Sequence, residues 1–173
     1  MSNFGLENFE RTGNIEQDSH FTELDSARYF INQLCQQTLK IIRIFTPDLE
    51  AALYDNEEFT KNLLNMVRGN RHAKIQILTL ETASASRRGH ALLRLAHELT
   101  STIEIRIPTE EYQQTGVAFM LSDTSGFVFR PDSKEYNGIY NPGCKSRSQK
   151  LAEIFTSMWE HAETDLQSRR LHI

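Results

Sequence analysis

The sequence predicts a single three-layer α/β domain, in which a mixed sheet carries helix crossovers and ends in a C-terminal β-hairpin. Three observations support this fold class. The chain has 173 residues, enough for one domain with a sizeable core. Segments with helical periodicity alternate with short Ile-rich runs as far as Pro108. Residues 116–130 then hold two apolar runs that are joined by a turn, with no helix between them.

The first helix and the first strand are predicted between residues 22 and 47. Apolar residues recur at spacings of three and four from Leu24 to Thr38, and Thr22 is the expected helix cap. Residues 40–45, KIIRIF, are short and Ile-rich and stop shortly before Pro47, which is typical of a buried strand.

Two further helix–strand pairs follow. A helix is predicted from Asp55 to Gly69, and residues 74–80, KIQILTL, predict the second strand. Ser86 is the expected cap of a third helix, after which residues 103–107, IEIRI, alternate strictly and predict a third strand. Because helices separate these strands, we expect crossover connections and a largely parallel sheet.

The pattern changes in the last third of the chain. Residues 117–121 and 127–129 are the two arms of the hairpin, so they are expected to be antiparallel. Residues 131–145 are rich in Gly, Pro and Asn and predict a loop. Residues 148–162 have one apolar face, with Trp159 beside it, and predict the final helix.

The chain is expected to divide into three segments. Residues 1–20 are polar, acidic and glycine-containing, which predicts a flexible N-terminal arm. Residues 21–165 contain all of the predicted helices and strands and form the α/β domain. Residues 166–173 are expected to be a short C-terminal tail.

This order of elements resembles one half of the phospholipase D-like fold. The matching pieces are KIIRIFTP, KIQILTL, IEIRIP, GVAFMLSD and the pair Phe155 and Trp159. In that family the hairpin carries a His-x-Lys-x4-Asp motif. Asp123 matches the aspartate, but the histidine and lysine positions fall on Gly116 and Ala118. The family's Ser and Asn after the second hairpin strand are also missing, because Arg130 and Pro131 follow directly.

The resemblance implies that phosphodiesterase chemistry is lost. The family's histidine attacks phosphorus and its lysine neutralises phosphoryl charge, and neither Gly nor Ala can do this. Asp123 itself also has a simpler interpretation, as a turn residue that forms local hydrogen bonds. Two halves of this fold pack together around the hairpin edge, so the resemblance implies a homodimer through that edge.

A second resemblance suggests an alternative function. The chain is similar to bacterial domains of the same degenerate kind, some of which follow a GNAT-type acetyltransferase domain. This resemblance implies an accessory role in an acetyltransferase system, although no acetyl-CoA-binding signature is present in the sequence.

The strongest polar segment is residues 79–94, TLETASASRRGHALLR, which runs from a strand end into a helix start. Ligands bind at the carboxyl ends of strands in open α/β sheets, and a helix N-terminus favours anions there. The predicted anion site consists of Ser84, Ser86, Arg87, Arg88 and His90. In the alternative interpretation, the arginines are solvated and the serines are helix caps.

Other polar residues can converge on the same strand ends. The secondary candidates are Thr46, Asp48, Glu81 and Asp123. Paired carboxylates can act as acid and base, so an enzyme with unrelated chemistry at this edge is a further alternative. The competing interpretation is that these residues belong to solvated loops.

Composition narrows the classes of partner and cofactor. The net charge is −4, which does not favour nucleic acid, although Lys145, Arg147 and Lys150 form a local basic stretch. The two cysteines have no CxxC spacing, and no metal or cofactor is expected. There is neither an apolar run of about 18 residues nor a secretory pattern, so we expect a cytoplasmic protein. The resemblance to bacterial domains implies a bacterial one. The phospholipase D-like resemblance, taken with the polar segment, implies a non-catalytic binding or regulatory module whose ligand is anionic or whose partner is a protein.

Overall fold

Eight strands form one mixed sheet in the computed structural model, which describes residues 4–123 and 125–165. The strands are β1 (Ser19–Phe21), β2 (Ile41–Thr46), β3 (Lys74–Thr79), β4 (Ile103–Ile107), β5 (Ala118–Ser122), β6 (Gly126–Arg130), β7 (Gly138–Asn141) and β8 (Glu163–Thr164). Their order across the sheet is β1-β7-β6-β5-β2-β3-β4-β8. The pairs β2–β3 and β3–β4 are parallel and the other neighbours are antiparallel. The predicted mixed sheet with a hairpin is confirmed.

Helices cover both faces of this sheet. The α-helices of the described residues are α1 (Leu24–Gln37), α2 (Ala51–Tyr54), α3 (Glu57–Gly69), α4 (Ala83–Arg88), α5 (Ala91–Glu98) and α6 (Lys145–His161). Short 3₁₀ turns occur at Phe9–Arg11 and Glu110–Tyr112. None of the helices in this part of the chain is long and apolar enough to cross a membrane.

The sheet separates two apolar clusters because successive strand residues point to opposite faces. On one face, Ile44 and Ile77 pack in the same cluster as side chains of α1, α3 and α5. On the other face, Phe45 and Leu78 pack in the cluster that contains Phe155 of α6. Burial on both faces explains the adjacent apolar residues near the ends of β2 and β3, Ile44–Phe45 and Ile77–Leu78.

The predicted start of the third helix is wrong. The segment forms two helices, because Gly89 has a left-handed φ of 68° and ends α4. Ser86 therefore lies inside α4 and does not cap a helix, while His90 caps α5 by accepting a hydrogen bond from the Leu92 amide. The expected cap at Thr22 is also wrong, since α1 begins after Glu23 without a side-chain cap.

The segment predicted as a loop, residues 131–145, contains the short strand β7. Gly138 makes this strand possible, because a Cβ atom there would lie 2.4 Å from the Phe129 carbonyl oxygen and 2.7 Å from the Phe21 ring. Strand β7 pairs with both β6 and β1, and it extends the sheet beyond the hairpin.

Residues 4–20, which the sequence predicts to be a flexible arm, contact the rest of the domain in the structure. Leu6 and Phe9 are buried in the same apolar cluster as α6, and β1 pairs with β7. The side chain of Asp18 is 4% exposed and pairs with Arg147 of α6. The predicted tail, residues 166–173, lies outside the described residues.

The hairpin occupies the middle of the sheet. Strand β5 pairs with β2 and β6, and β6 pairs with β5 and β7, so the long edges of both hairpin strands are already used. A dimer therefore cannot form by strand pairing along the hairpin.

Candidate ligand-binding site

A pocket of about 680 Å³ opens at the carboxyl ends of β2 and β3. Its lining includes Pro47 and Leu80, which follow these two strands, and Gly116, which precedes β5. The charged residues of the lining are Asp48, Glu50, Arg88 and Lys134. This is the edge of the sheet at which the sequence predicted a ligand site.

The two motif positions of the hairpin contribute no functional side chain to this pocket. Gly116 has a φ of 69°, and a Cβ atom built there would meet nothing within 4 Å, so the backbone faces open space. Ala118 is 2% exposed and offers only a methyl group. The two positions that the phospholipase D resemblance assigns to histidine and lysine therefore provide neither a nucleophile nor a cation.

A buried ion pair lies beside the pocket. Arg130 Nη2 is 2.5 Å from Glu50 Oε1, and the two side chains are 3% and 10% exposed. Thr46 donates its hydroxyl to Glu50 Oε2 at 2.8 Å, and Arg130 Nη2 also donates to the Ser133 carbonyl at 3.1 Å. The pair thus links the end of β2, the end of β6 and the loop after β6.

Glu50 lies in a strained turn that the surrounding contacts hold in place. Leu49 and Glu50 have φ values of 65° and 30°, which non-glycine residues seldom adopt and which cost about 1–3 kcal/mol each. Asp48 Oδ1 accepts a hydrogen bond from the Glu50 amide at 3.0 Å and supports this turn. Burial raises the pKa of Glu50, while Arg130 and Thr46 oppose the shift because they stabilise the carboxylate.

The structure separates the predicted anion-binding residues. Arg88 lines the pocket, whereas its neighbour Arg87 is exposed and does not. The Ser84 amide donates to Glu81 Oε2 at 3.1 Å, which makes Glu81 the residue that caps the start of α4. Partial burial raises the pKa of Glu81, but hydrogen bonds from Ser84 and Ala83 outweigh it and lower the pKa overall. Ser86 is half-buried within α4.

His90 is a buried structural residue. It is 1% exposed, its Nε2 lies 3.1 Å from the Leu49 carbonyl oxygen, and its Nδ1 accepts from the Leu92 amide at 3.1 Å. An accepting Nδ1 requires the neutral ring with its proton on Nε2, and burial lowers the pKa of His90, which favours that form. His90 therefore ties α5 to the turn that carries Glu50.

The secondary candidates also divide into two groups. Thr46 and Asp48 both contact Glu50 and belong to the pocket region. Asp123 lies at the other end of β5, where its carboxylate accepts hydrogen bonds from the amides of residues 39, 40 and 41. The structure therefore does not bring Asp123 together with the pocket residues.

Sequence reasoning missed Glu50 and Arg130. Glu50 lies between the first predicted strand and the helix predicted from Asp55, where no pattern indicates a role, and Arg130 stands out only as a departure from the family pattern. One signal was present: Arg130 is the charged last residue of an apolar strand, GFVFR, and a charge in that place needs a buried partner.

Comparison with solved structures shows that the fold is phospholipase D-like. Nuc from Salmonella typhimurium, a phospholipase D family member, superimposes with a TM-score of 0.64 at 14% identity, over 86% of this chain and 97% of Nuc. NucT from Helicobacter pylori gives a TM-score of 0.58 at 9% identity, over 86% of this chain and 98% of NucT. TrmBL2, an archaeal chromatin protein described with a novel mode of DNA binding, gives a TM-score of 0.64 at 13% identity, over 92% of this chain. The match spans 59% of the length of TrmBL2.

The sequence itself identifies the family. Residues 23–171 match the family model described as Domain of unknown function (DUF7931), and the chain belongs to that family. A comparison with curated proteins finds no significant match. The identities to the solved structures are low, so these structures establish the fold alone.

Proposed function

We propose that this domain is a non-catalytic phospholipase D-like module that binds an anionic, phosphorylated ligand in the pocket beside Arg88 and Lys134. The observation that carries the proposal is the pocket at the carboxyl ends of the parallel strands, the usual place for ligands in such sheets. Arg130 balances the charge of Glu50, which leaves the two exposed cations facing the single exposed carboxylate of Asp48. Arginine suits phosphate because its planar fork donates two hydrogen bonds.

Binding of inorganic phosphate and of nucleotides, measured by calorimetry, tests this proposal. Arg88→Ala removes a charge-assisted hydrogen bond from the pocket wall and is expected to weaken binding roughly tenfold. Arg87→Ala is the matched control, because it removes the same charge from the neighbouring exposed position of α4. We expect Arg87→Ala to change the affinity less than about twofold, by screened long-range effects alone. Equal effects of the two substitutions would contradict the proposed site.

The proposal also predicts that the domain has no phosphodiesterase activity. With Gly116 and Ala118 at the motif positions, lipid and nucleic-acid phosphodiesters are expected to remain intact in long incubations. Turnover above the blank would favour the alternative of an enzyme with different chemistry at this edge. An acetyltransferase recovered in a pull-down would favour the accessory role, and tight binding of an oligonucleotide would favour nucleic acid as the ligand.

We also propose that the domain forms a homodimer, with the strand ends around the pocket as the contact. The hairpin strands have no free long edge, whereas Gly116 and Pro131, which flank their pocket ends, are exposed. Sedimentation equilibrium at micromolar concentration is expected to give twice the mass of the chain. A monomer mass throughout the concentration range would show that the contact does not form.

A further inference from the structure

The guanidinium of Arg130 is only partly used by the fold. Arg130 is the last residue of β6 and its side chain is 3% exposed. Nη2 donates to both Glu50 and the Ser133 carbonyl, whereas Nη1 is buried and has no hydrogen-bond partner among the described residues. Buried guanidinium donors are rarely left without an acceptor, because leaving a charged N–H group unpaired is costly.

The guanidinium of Arg130 lies next to residues that line the pocket. Three residues around it belong to the pocket lining: Glu50, Ser133 and Tyr136. The Arg130 guanidinium carbon is 5.9 Å from the centre of the Tyr136 ring. Arg130 is also directly opposite Ala118 in the β5–β6 register, and opposite residues project from the same face of a sheet. The Arg130 side chain therefore projects from the same face of the sheet as Ala118, close to residues that line the pocket.

We propose that Arg130 Nη1 is the buried anchor for a phosphate oxygen of the ligand, and that Glu50 is a built-in competitor that limits this binding. The inference rests on the proposed function and specifies how the pocket recognises its ligand. A phosphate oxygen can accept an N–H group of Nη1 in a charge-assisted hydrogen bond, which suits the arginine preference for oxyanions. Glu50 and the phosphate then carry negative charges on the same guanidinium, so each weakens the binding of the other.

Competition predicts that removing the charge of Glu50 strengthens binding. In Glu50→Gln the side chain keeps its length, its amide oxygen can accept from Arg130 and its NH2 group can donate to the Thr46 hydroxyl. The guanidinium then faces one anion instead of two. We expect the affinity for inorganic phosphate to rise about tenfold, a change of about 1.4 kcal/mol. If Glu50 merely held the surrounding loops in place, its replacement would leave the affinity unchanged or reduce it.

Asp48→Asn is the matched control for this experiment. Asp48 also lines the pocket and carries one negative charge, but its carboxylate accepts from the Glu50 amide, and asparagine retains an oxygen for that bond. If only the net charge of the pocket lining determines the affinity, Glu50→Gln and Asp48→Asn will tighten phosphate binding equally. Tightening by Glu50→Gln that clearly exceeds that of Asp48→Asn supports competition on Arg130.

The double variant Glu50→Gln/Arg130→Gln tests the anchor itself. It removes both charges together, so no unpaired charge remains buried, and a melting curve verifies that it folds. We expect its phosphate affinity to fall at least tenfold below that of the natural protein. Binding retained in the double variant, or unchanged in Glu50→Gln, would overturn the inference.

The outcomes separate this inference from the proposed function. If Arg88→Ala weakens phosphate binding but Glu50→Gln has no effect, the pocket binds anions and the role of Arg130 is wrong. If the natural protein binds no phosphate but Glu50→Gln does, competition at Arg130 is supported directly. If neither protein binds phosphate, both proposals fail.

Discussion

Arg147→Met is expected to lower the free energy of unfolding by about 3–5 kcal/mol, because it leaves a buried carboxylate without its partner. The Arg147 side chain is fully buried, and that of Asp18 is 4% exposed. Arg147 Nη1 and Nη2 lie 3.0 and 2.5 Å from the two carboxylate oxygens of Asp18. Nη2 also donates to the Asn14 carbonyl at 3.0 Å, so the pair fastens the N-terminal segment to α6. Urea denaturation measures the loss.

Two further variants make this result specific. Lys145→Met removes a positive charge from the exposed start of α6, and we expect a change within about 0.5 kcal/mol. Asp18→Asn/Arg147→Met removes both members of the pair and is expected to recover much of the lost stability, because no charge stays buried alone. A loss below about 1 kcal/mol in Arg147→Met would show that the N-terminal segment contributes little to the fold.

This ion pair also shows where the sequence stops being informative about the fold. The central strands were predictable because each is a short apolar run between helices, and its character is visible within six residues. The packing of the N-terminal segment depends on Asp18 and Arg147, which are 129 positions apart. Their opposite charges show only that each needs a partner, and many exposed partners were equally available in the sequence. Strand β7 was missed because Gly138 is typical of a loop, although here it permits close backbone approach.

The candidate site likewise has one feature that the sequence predicts, its place in the sheet, and others that it does not, the individual side chains. The edge of the sheet was predictable, since the carboxyl ends of parallel strands follow from the order of elements, and Arg88 does line the pocket there. The individual side chains were less predictable because a helix break at Gly89 changes which residues face the pocket. His90 consequently points into the core and contacts the Leu49 carbonyl. Glu50 and Arg130 meet across 80 positions of sequence, and no local pattern joins them.

Asp123→Ala is expected to destabilise the fold by about 3 kcal/mol without affecting the pocket. The Asp123 carboxylate accepts from the amides of Leu39, Lys40 and Ile41 at 3.1, 2.9 and 3.0 Å, which fixes the chain as it enters β2. A hydrogen bond to a charged group contributes about 1.5–3 kcal/mol, and partial exposure of these amides reduces the sum. Asp123 also has a φ of 47°, which aspartate tolerates better than alanine. Thermal and urea unfolding measure the effect.

Asparagine at the same position separates the contributions of charge and backbone. Asp123→Asn keeps one acceptor oxygen and a residue that tolerates left-handed φ, so we expect about half of the alanine effect. Phosphate affinity is expected to stay unchanged in both variants, because Asp123 and the pocket lie at opposite ends of β5. A folded Asp123→Ala protein that has lost phosphate binding would place this residue in the ligand site instead. Preserved binding with reduced stability would mean that the single matching residue of the His-x-Lys-x4-Asp pattern serves the fold, and that recognition depends on side chains outside that pattern.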